Sequence, residues 1–141
     1  MPMSFRIASV ALLALGAERA MVVHGLDGMD EISTTGATLV AEVNGGGVNV
    51  REMTPEDIGV ARVSLDQLRG GSVAENAEAL MRLLRGEPGP FADLVVVNAG
   101  AAIQVAGLVG SLSDGVAAAR ASIASGKALN ALEALKRASN G

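Results

Sequence analysis

The sequence predicts an α/β fold, a partial mixed sheet flanked by helices and ending in a C-terminal helical cluster. Three observations carry this. Short β-prone runs at 19–24, 37–43 and 48–53 are preceded and followed by helical stretches, and the second and third are joined by Asn44-Gly45-Gly46-Gly47, a strong hairpin signal. Capping signatures follow the hairpin, at Thr54-Pro55-Glu56-Asp57 and at Ser72 with Glu75. Half of the 141 residues are hydrophobic, mostly Ala, Val and Leu, enough to bury one core of small aliphatic side chains in one ordinary domain.

Residues 4–16 read as a helix, with Ile7, Val10, Ala11, Ala14 and Leu15 as its apolar face and Gly16 as its stop. Arg6 ahead of Ile7–Leu15 also resembles the start of a signal peptide, but Leu15 and Ala17 make a poor cleavage region. Ala20-Met21-Val22-Val23 forms a continuous apolar run, as in a buried strand. An acidic, turn-rich loop follows at 25–31, and then the hairpin.

Thr54 is expected to cap a helix begun by Pro55, with Glu56 and Asp57 at its positive end. The stretch 58–69 has no clear period. Ser72 and Glu75 predict a capping box for a helix over 73–84, with Ala77, Leu80, Met81 and Leu84 as its apolar face and Gly86 as its end. After the rigid Glu87-Pro88-Gly89-Pro90 connector, 91–112 is expected to be mainly helical. Residues 94–112 carry no charge and are long enough to span a bilayer. Asn98, Gln104, three glycines and the lack of flanking cations favour a small-residue helix buried in a soluble protein instead. Ser113-Asp114 should start the next helix, and Gly126 should separate it from a last one over 127–138.

A net charge of −4, no basic stripe and only two Phe among the aromatics argue against nucleic-acid binding. With no Cys, disulfides and thiolate chemistry are excluded, which fits a reducing cytoplasm. A single His rules out multi-His metal sites.

Val22-Val23-His24-Gly25 is followed by Asp27-Gly28-Met29-Asp30-Glu31, and then by Thr54-Pro55-Glu56-Asp57-Ile58-Gly59. Next come Gly70-Gly71, Glu75-Asn76-Ala77, Leu84-Arg85-Gly86, Asn98-Ala99 and Ser125-Gly126-Lys127-Ala128. In this order and spacing, from about residue 7 onward, the set resembles the glycosyltransferase family that contains the anthranilate phosphoribosyltransferases. The Asp-Gly-Met-Asp-Glu loop fits those enzymes better than the related pyrimidine nucleoside phosphorylases.

The resemblance implies phosphoribosyl transfer from phosphoribosyl pyrophosphate to anthranilate, a step of tryptophan synthesis, with Mg²⁺ as cofactor. It implies that Asp30 and Glu31 are the acidic pair holding the metal; from the residues alone, a solvated acidic turn would be the ordinary reading. His24 is left as structural or substrate-adjacent, and no catalytic base is assigned. Asp27 is read as a loop cap, with a solvated position as the alternative. Asn98 is expected to satisfy buried backbone groups rather than touch substrate.

The family's helical N-terminal domain, its Gly-Thr-Gly-Gly-Asp phosphate loop, its Lys-His-Gly-Asn motif and its anthranilate-binding Arg do not occur in these 141 residues. The chain is therefore expected to be the C-terminal portion of such an enzyme and inactive alone, whether as a gene fragment, half of a split gene or a deliberately made piece. The competing expectation is a non-catalytic module that completes a separately encoded N-terminal half or associates with a copy of itself.

Overall fold

The structure, a computed structural model, describes residues 3–141. Helix α1 (Met3–Ala14) leads into strand β1 (Arg19–Gly25), the hairpin β2 (Thr38–Asn44) and β3 (Gly47–Met53), and the single turn α2 (Pro55–Ile58). A 3₁₀ turn at Leu65–Leu68 precedes α3 (Val73–Leu84), α4 (Pro90–Val105), α5 (Leu112–Ala124) and α6 (Lys127–Ser139). The α/β class and the C-terminal helical cluster hold. The three strands lie in the order β1-β2-β3 and pair antiparallel throughout.

The hairpin closes in a two-residue turn with Gly45 at φ 58° and Gly46 at φ 93°. Both angles lie in the left-handed region, which is why glycine occupies both places. Strand alternation sorts the sheet into two faces. Met21, Val23, Val40 and Met53 share one face and join Val96, Val97 and Ala101 of α4 and Val116 of α5 in the main core. Ala20, Val22, Ala41, Val43 and Val50 share the other, across which α1 lies, closest to β1.

Three sequence expectations need correction. Helix α1 buries Phe5 and Ser9, whereas Ile7, Val10 and Leu15 are mostly exposed. The helix is apolar nearly all round, so periodicity could not say which stripe the sheet would take. On α3 the buried residue is Leu83, while Leu80 is exposed and Met81 and Leu84 are half-buried. The long apolar segment is not one helix over 91–112. It ends at Val105, Gly107 (φ 76°) turns the chain, and Ser111 rather than Ser113 caps α5 by accepting from the Asp114 N–H. Among the described residues no helix is long and apolar enough to cross a membrane.

The caps expected at Thr54 and Ser72 are present. Thr54 and Asp57 form a reciprocal box, as do Ser72 and Glu75. Helices α4 and α5 make the closest helix pair. They meet at Gly100 and Gly115, where a Cβ on Gly100 would lie 2.6 Å from the Val116 backbone nitrogen. Two glycines in register are what permits that approach.

Candidate metal-binding loop

Strand β1 ends at Gly25, and the chain turns sharply there. The Gly25 N–H donates to the Met29 carbonyl (2.9 Å), and the Gly28 N–H donates to that of Gly25 (3.0 Å). A Cβ on Gly25 would stand 2.5 Å from Asp27 Oδ1, so no larger residue fits without moving the turn. Gly28 takes φ 97°, a left-handed angle natural to glycine.

Asp27 latches the loop to itself. Its Oδ1 accepts the Met29 N–H at 3.1 Å. Its Oδ2 accepts the hydroxyls of Ser33 and Thr35. Burial acts to raise the Asp27 pKa, but the Ser33 and Thr35 hydroxyls and the Met29 N–H outweigh it and hold the carboxyl below its ordinary 3.8. The structural reading of Asp27 therefore stands over the solvated one.

The far side of the loop is fixed by Asn98 from α4. Its Oδ1 accepts the Ile32 N–H (2.9 Å), and its Nδ2 donates to the carbonyls of Ile32 (3.0 Å) and Leu94 (3.0 Å). This amide closes a two-way bridge to one residue 66 positions away, and Ile32 itself is buried. Asn98 thus does what the sequence reading expected. Replacing it with Leu would strand the Ile32 N–H and C=O, at about 1–3 kcal/mol for each buried unpaired group. We expect Asn98→Leu to lose roughly 3 kcal/mol in urea denaturation; a loss below about 0.5 kcal/mol, the level of a neutral surface change, would contradict this bridge.

Between the two anchors sit Asp30 and Glu31. Asp30 is exposed and Glu31 half-buried. The hydrogen bonds and ion pairs among the described residues do not involve either carboxylate. Burial first, and the Asp30 charge second, push the Glu31 carboxyl above its ordinary value. Two adjacent like charges without a protein cation suit a divalent ion. Among the described residues no third His, Asp or Glu joins them as a metal cluster. Two hard carboxylate oxygens without a closed cage match Mg²⁺, which keeps waters and shares its remaining positions with substrate phosphates.

His24 occupies the β1 register position facing Leu39, on the α1 side of the sheet. The loop-holding hydroxyls of Ser33, Thr35 and Thr38, whose Oγ1 accepts the Ser33 N–H at 3.0 Å, were not singled out from the sequence. The signal was present in Ser33-Thr34-Thr35-Gly36, a cluster of small hydroxyl residues placed to close turns after an Asp-Gly pair.

Comparison with known proteins places this loop in context. An anthranilate phosphoribosyltransferase from Rubrobacter xylanophilus is 55% identical over 130 residues, covering 92% of this chain and 38% of its own length. One from Azorhizobium caulinodans is 50% identical over 127 residues, covering 90% of this chain and 37% of its own. The chain thus spans under two-fifths of the curated relatives it matches. The crystal structure of the Thermus thermophilus anthranilate phosphoribosyltransferase superposes with a TM-score of 0.84 at 43% identity, over 94% of this chain and 39% of that one. A variant of the Saccharomyces cerevisiae enzyme with Mg bound gives a TM-score of 0.78 at 26% identity, over 89% of this chain and 37% of that one. A match to the glycosyl transferase family, a/b domain, runs from residue 4 to residue 129, and over that span the chain belongs to this family.

Proposed function

We propose that this chain is the Mg²⁺-binding portion of an anthranilate phosphoribosyltransferase, with Asp30 and Glu31 as the metal ligands. The substrates are phosphoribosyl pyrophosphate and anthranilate, and the setting is the cytoplasm, to which a chain without Cys is suited. The observation that carries this reading is the rigid mounting of two unpaired carboxylates between the Asp27 latch and the Asn98 bridge. Support comes from relatives of that name at 50% identity and above and from the Mg-bound yeast variant.

Phosphoribosyl transfer builds positive charge at the ribose carbon as pyrophosphate departs. A bound Mg²⁺ neutralises the negative charge gathering on that leaving group. The contribution of this chain is to hold the oxygens for that ion. Asp30 and Glu31 present hard donors side by side. Gly25 and Asp27 fix where the loop leaves β1, and Asn98 fixes where it returns to the core. Holding ligands before the reaction removes reorganisation cost from the transition state.

The test is a Mg²⁺ titration of the 141-residue chain followed by amide NMR. Two carboxylates without a bridging pyrophosphate predict weak binding, on the order of millimolar for so sparse a ligand set. The shifts should centre on 27–33 and vanish in the Asp30→Ala, Glu31→Ala double variant. Tight binding that survives this variant would place the ligands elsewhere and overturn the assignment.

A further inference from the structure

The hairpin turn begins with an asparagine followed by a glycine, Asn44-Gly45, at the end of the sheet opposite the Asp30–Glu31 loop. Asparagine is among the heat-labile residues, and this one stands apart from the other five in the sequence. Asn49, Asn76, Asn98 and Asn130 each precede Val or Ala, whose side chain stands beside the backbone nitrogen that follows the asparagine. Asn76 and Asn98 are also tied through their side-chain amides, to Gly71 and to Ile32 and Leu94. Asn140 precedes Gly141, but its Nδ2 donates to the Lys136 carbonyl at 2.8 Å. Asn44 is exposed, and its side-chain amide makes no hydrogen bond among the described residues.

The backbone after Asn44 is equally open. A Cβ built on Gly45, Gly46 or Gly47 would meet nothing within 4 Å. Asn44 faces Gly47 at the last rung of the β2–β3 ladder and Arg19 at the last rung of β1–β2. Those rungs can open while the rest of the sheet stays paired, and fraying at the end of an element costs little free energy. Three consecutive glycines give the turn the freedom to rearrange when they do.

We infer that Asn44 is a site of spontaneous deamidation and isomerisation. The Gly45 backbone nitrogen attacks Asn44 Cγ. The N–Cγ bond forms, the Cγ–Nδ2 bond breaks, and Nδ2 departs as ammonia with the proton from the Gly45 nitrogen. This leaves a cyclic imide. Water, the one co-reactant, then opens the ring at either of its carbonyls. Opening at Cγ leaves an ordinary aspartate. Opening at the main-chain carbonyl leaves isoaspartate, with the main chain running through Cγ. Isoaspartate lengthens the backbone by one carbon between β2 and β3, so the terminal rungs beside buried Val43 no longer match. The Asp30–Glu31 loop lies at the other end of the strands, and the inference is independent of the metal assignment.

The experiment is peptide mapping by mass spectrometry of the 141-residue chain, held for weeks in mildly alkaline heavy-oxygen water and sampled over time. Fragmentation that separates aspartate from isoaspartate is applied to the peptide containing residue 44. Asn44 should react ahead of every other asparagine and give both products, each carrying one heavy oxygen from the water. Amide hydrogen exchange in the isoaspartate fraction should be faster at 43–47 and unchanged at 27–33. Asn44→Gln keeps an amide but must close a larger ring, and should lose both products on this timescale. The wild-type product pair decides the question whether or not that variant folds. The inference is overturned by an Asn44 that stays intact or reacts after Asn140, or by aspartate as the sole product. Acid formation that continues unabated in Asn44→Gln, or an isoaspartate fraction with unaltered exchange at 43–47, would overturn it as well.

Discussion

Gly100→Ala should destabilise the fold by about 3 kcal/mol, the upper end of what overpacking costs, although it adds one methyl group. The new Cβ would sit 2.6 Å from the Val116 nitrogen and 2.8 Å from the Gly115 carbonyl carbon. Both neighbours are backbone, so no side chain can rotate away, and the helices themselves must separate. Gly115→Ala meets the Gly100 backbone in the same way and should cost as much. The effect should reach the Asp30–Glu31 loop, because Asn98 stands two residues before Gly100 on α4 and must stay within hydrogen-bonding distance of Ile32. Urea denaturation measures the first effect, and the amide shift of Ile32 reports the second. Ala102→Leu, on the exposed side of α4, is the control and should stay within about 0.5 kcal/mol. Gly100→Ala at that same level would show that the helix contact is looser than described.

Such a contact illustrates where sequence reading stops. The hairpin was legible because Asn44-Gly45-Gly46-Gly47 leaves few other conformations open, and the cap at Thr54 and the capping box of Ser72 with Glu75 because each acts within three residues of its partner. Local chemistry decided those elements. Gly100 and Gly115 read only as helix-weakening residues until the partner helix is seen to lie against them. The same holds for α1, where the apolar pattern allowed several buried stripes and the sheet selected Phe5 and Ser9.

The candidate site divides along the same line. Asp30 and Glu31 came from a motif resemblance; composition alone made them a solvated turn. The groups that hold them in place act at range. Asn98 reaches Ile32 across 66 residues, and Ser33 and Thr35 were silent until they were seen bonded to Asp27. The boundary between α4 and α5 was missed because small residues continue past Val105 with no break in hydropathy, and the positive φ at Gly107 marks the turn.

The 141-residue chain alone should not turn over phosphoribosyl pyrophosphate and anthranilate. Catalysis of this transfer depends on holding two substrates in reacting geometry while the pyrophosphate charge is neutralised. On the proposed assignment, Asp30 and Glu31 serve part of the second requirement. Among the described residues nothing joins them to form a larger acidic or histidine cluster, and the chain spans 38% of the Rubrobacter xylanophilus relative. Loss of substrate positioning alone removes about 7 kcal/mol or more of barrier lowering, which corresponds to a rate reduction of roughly 10⁵-fold. One acidic pair cannot make up that difference.

The most direct test of the metal-ligand assignment within this reaction is anthranilate fluorescence followed with phosphoribosyl pyrophosphate and Mg²⁺. The chain is assayed alone, then mixed with a polypeptide supplying the remainder of the Rubrobacter xylanophilus relative. Fluorescence should stay constant with the chain alone and fall with the mixture. That fall should disappear when the mixture contains the Asp30→Ala, Glu31→Ala chain, with the Asn98–Ile32 bridge still present by NMR. Steady anthranilate consumption by the chain alone, or by a mixture indifferent to the loss of both carboxylates, would contradict the account.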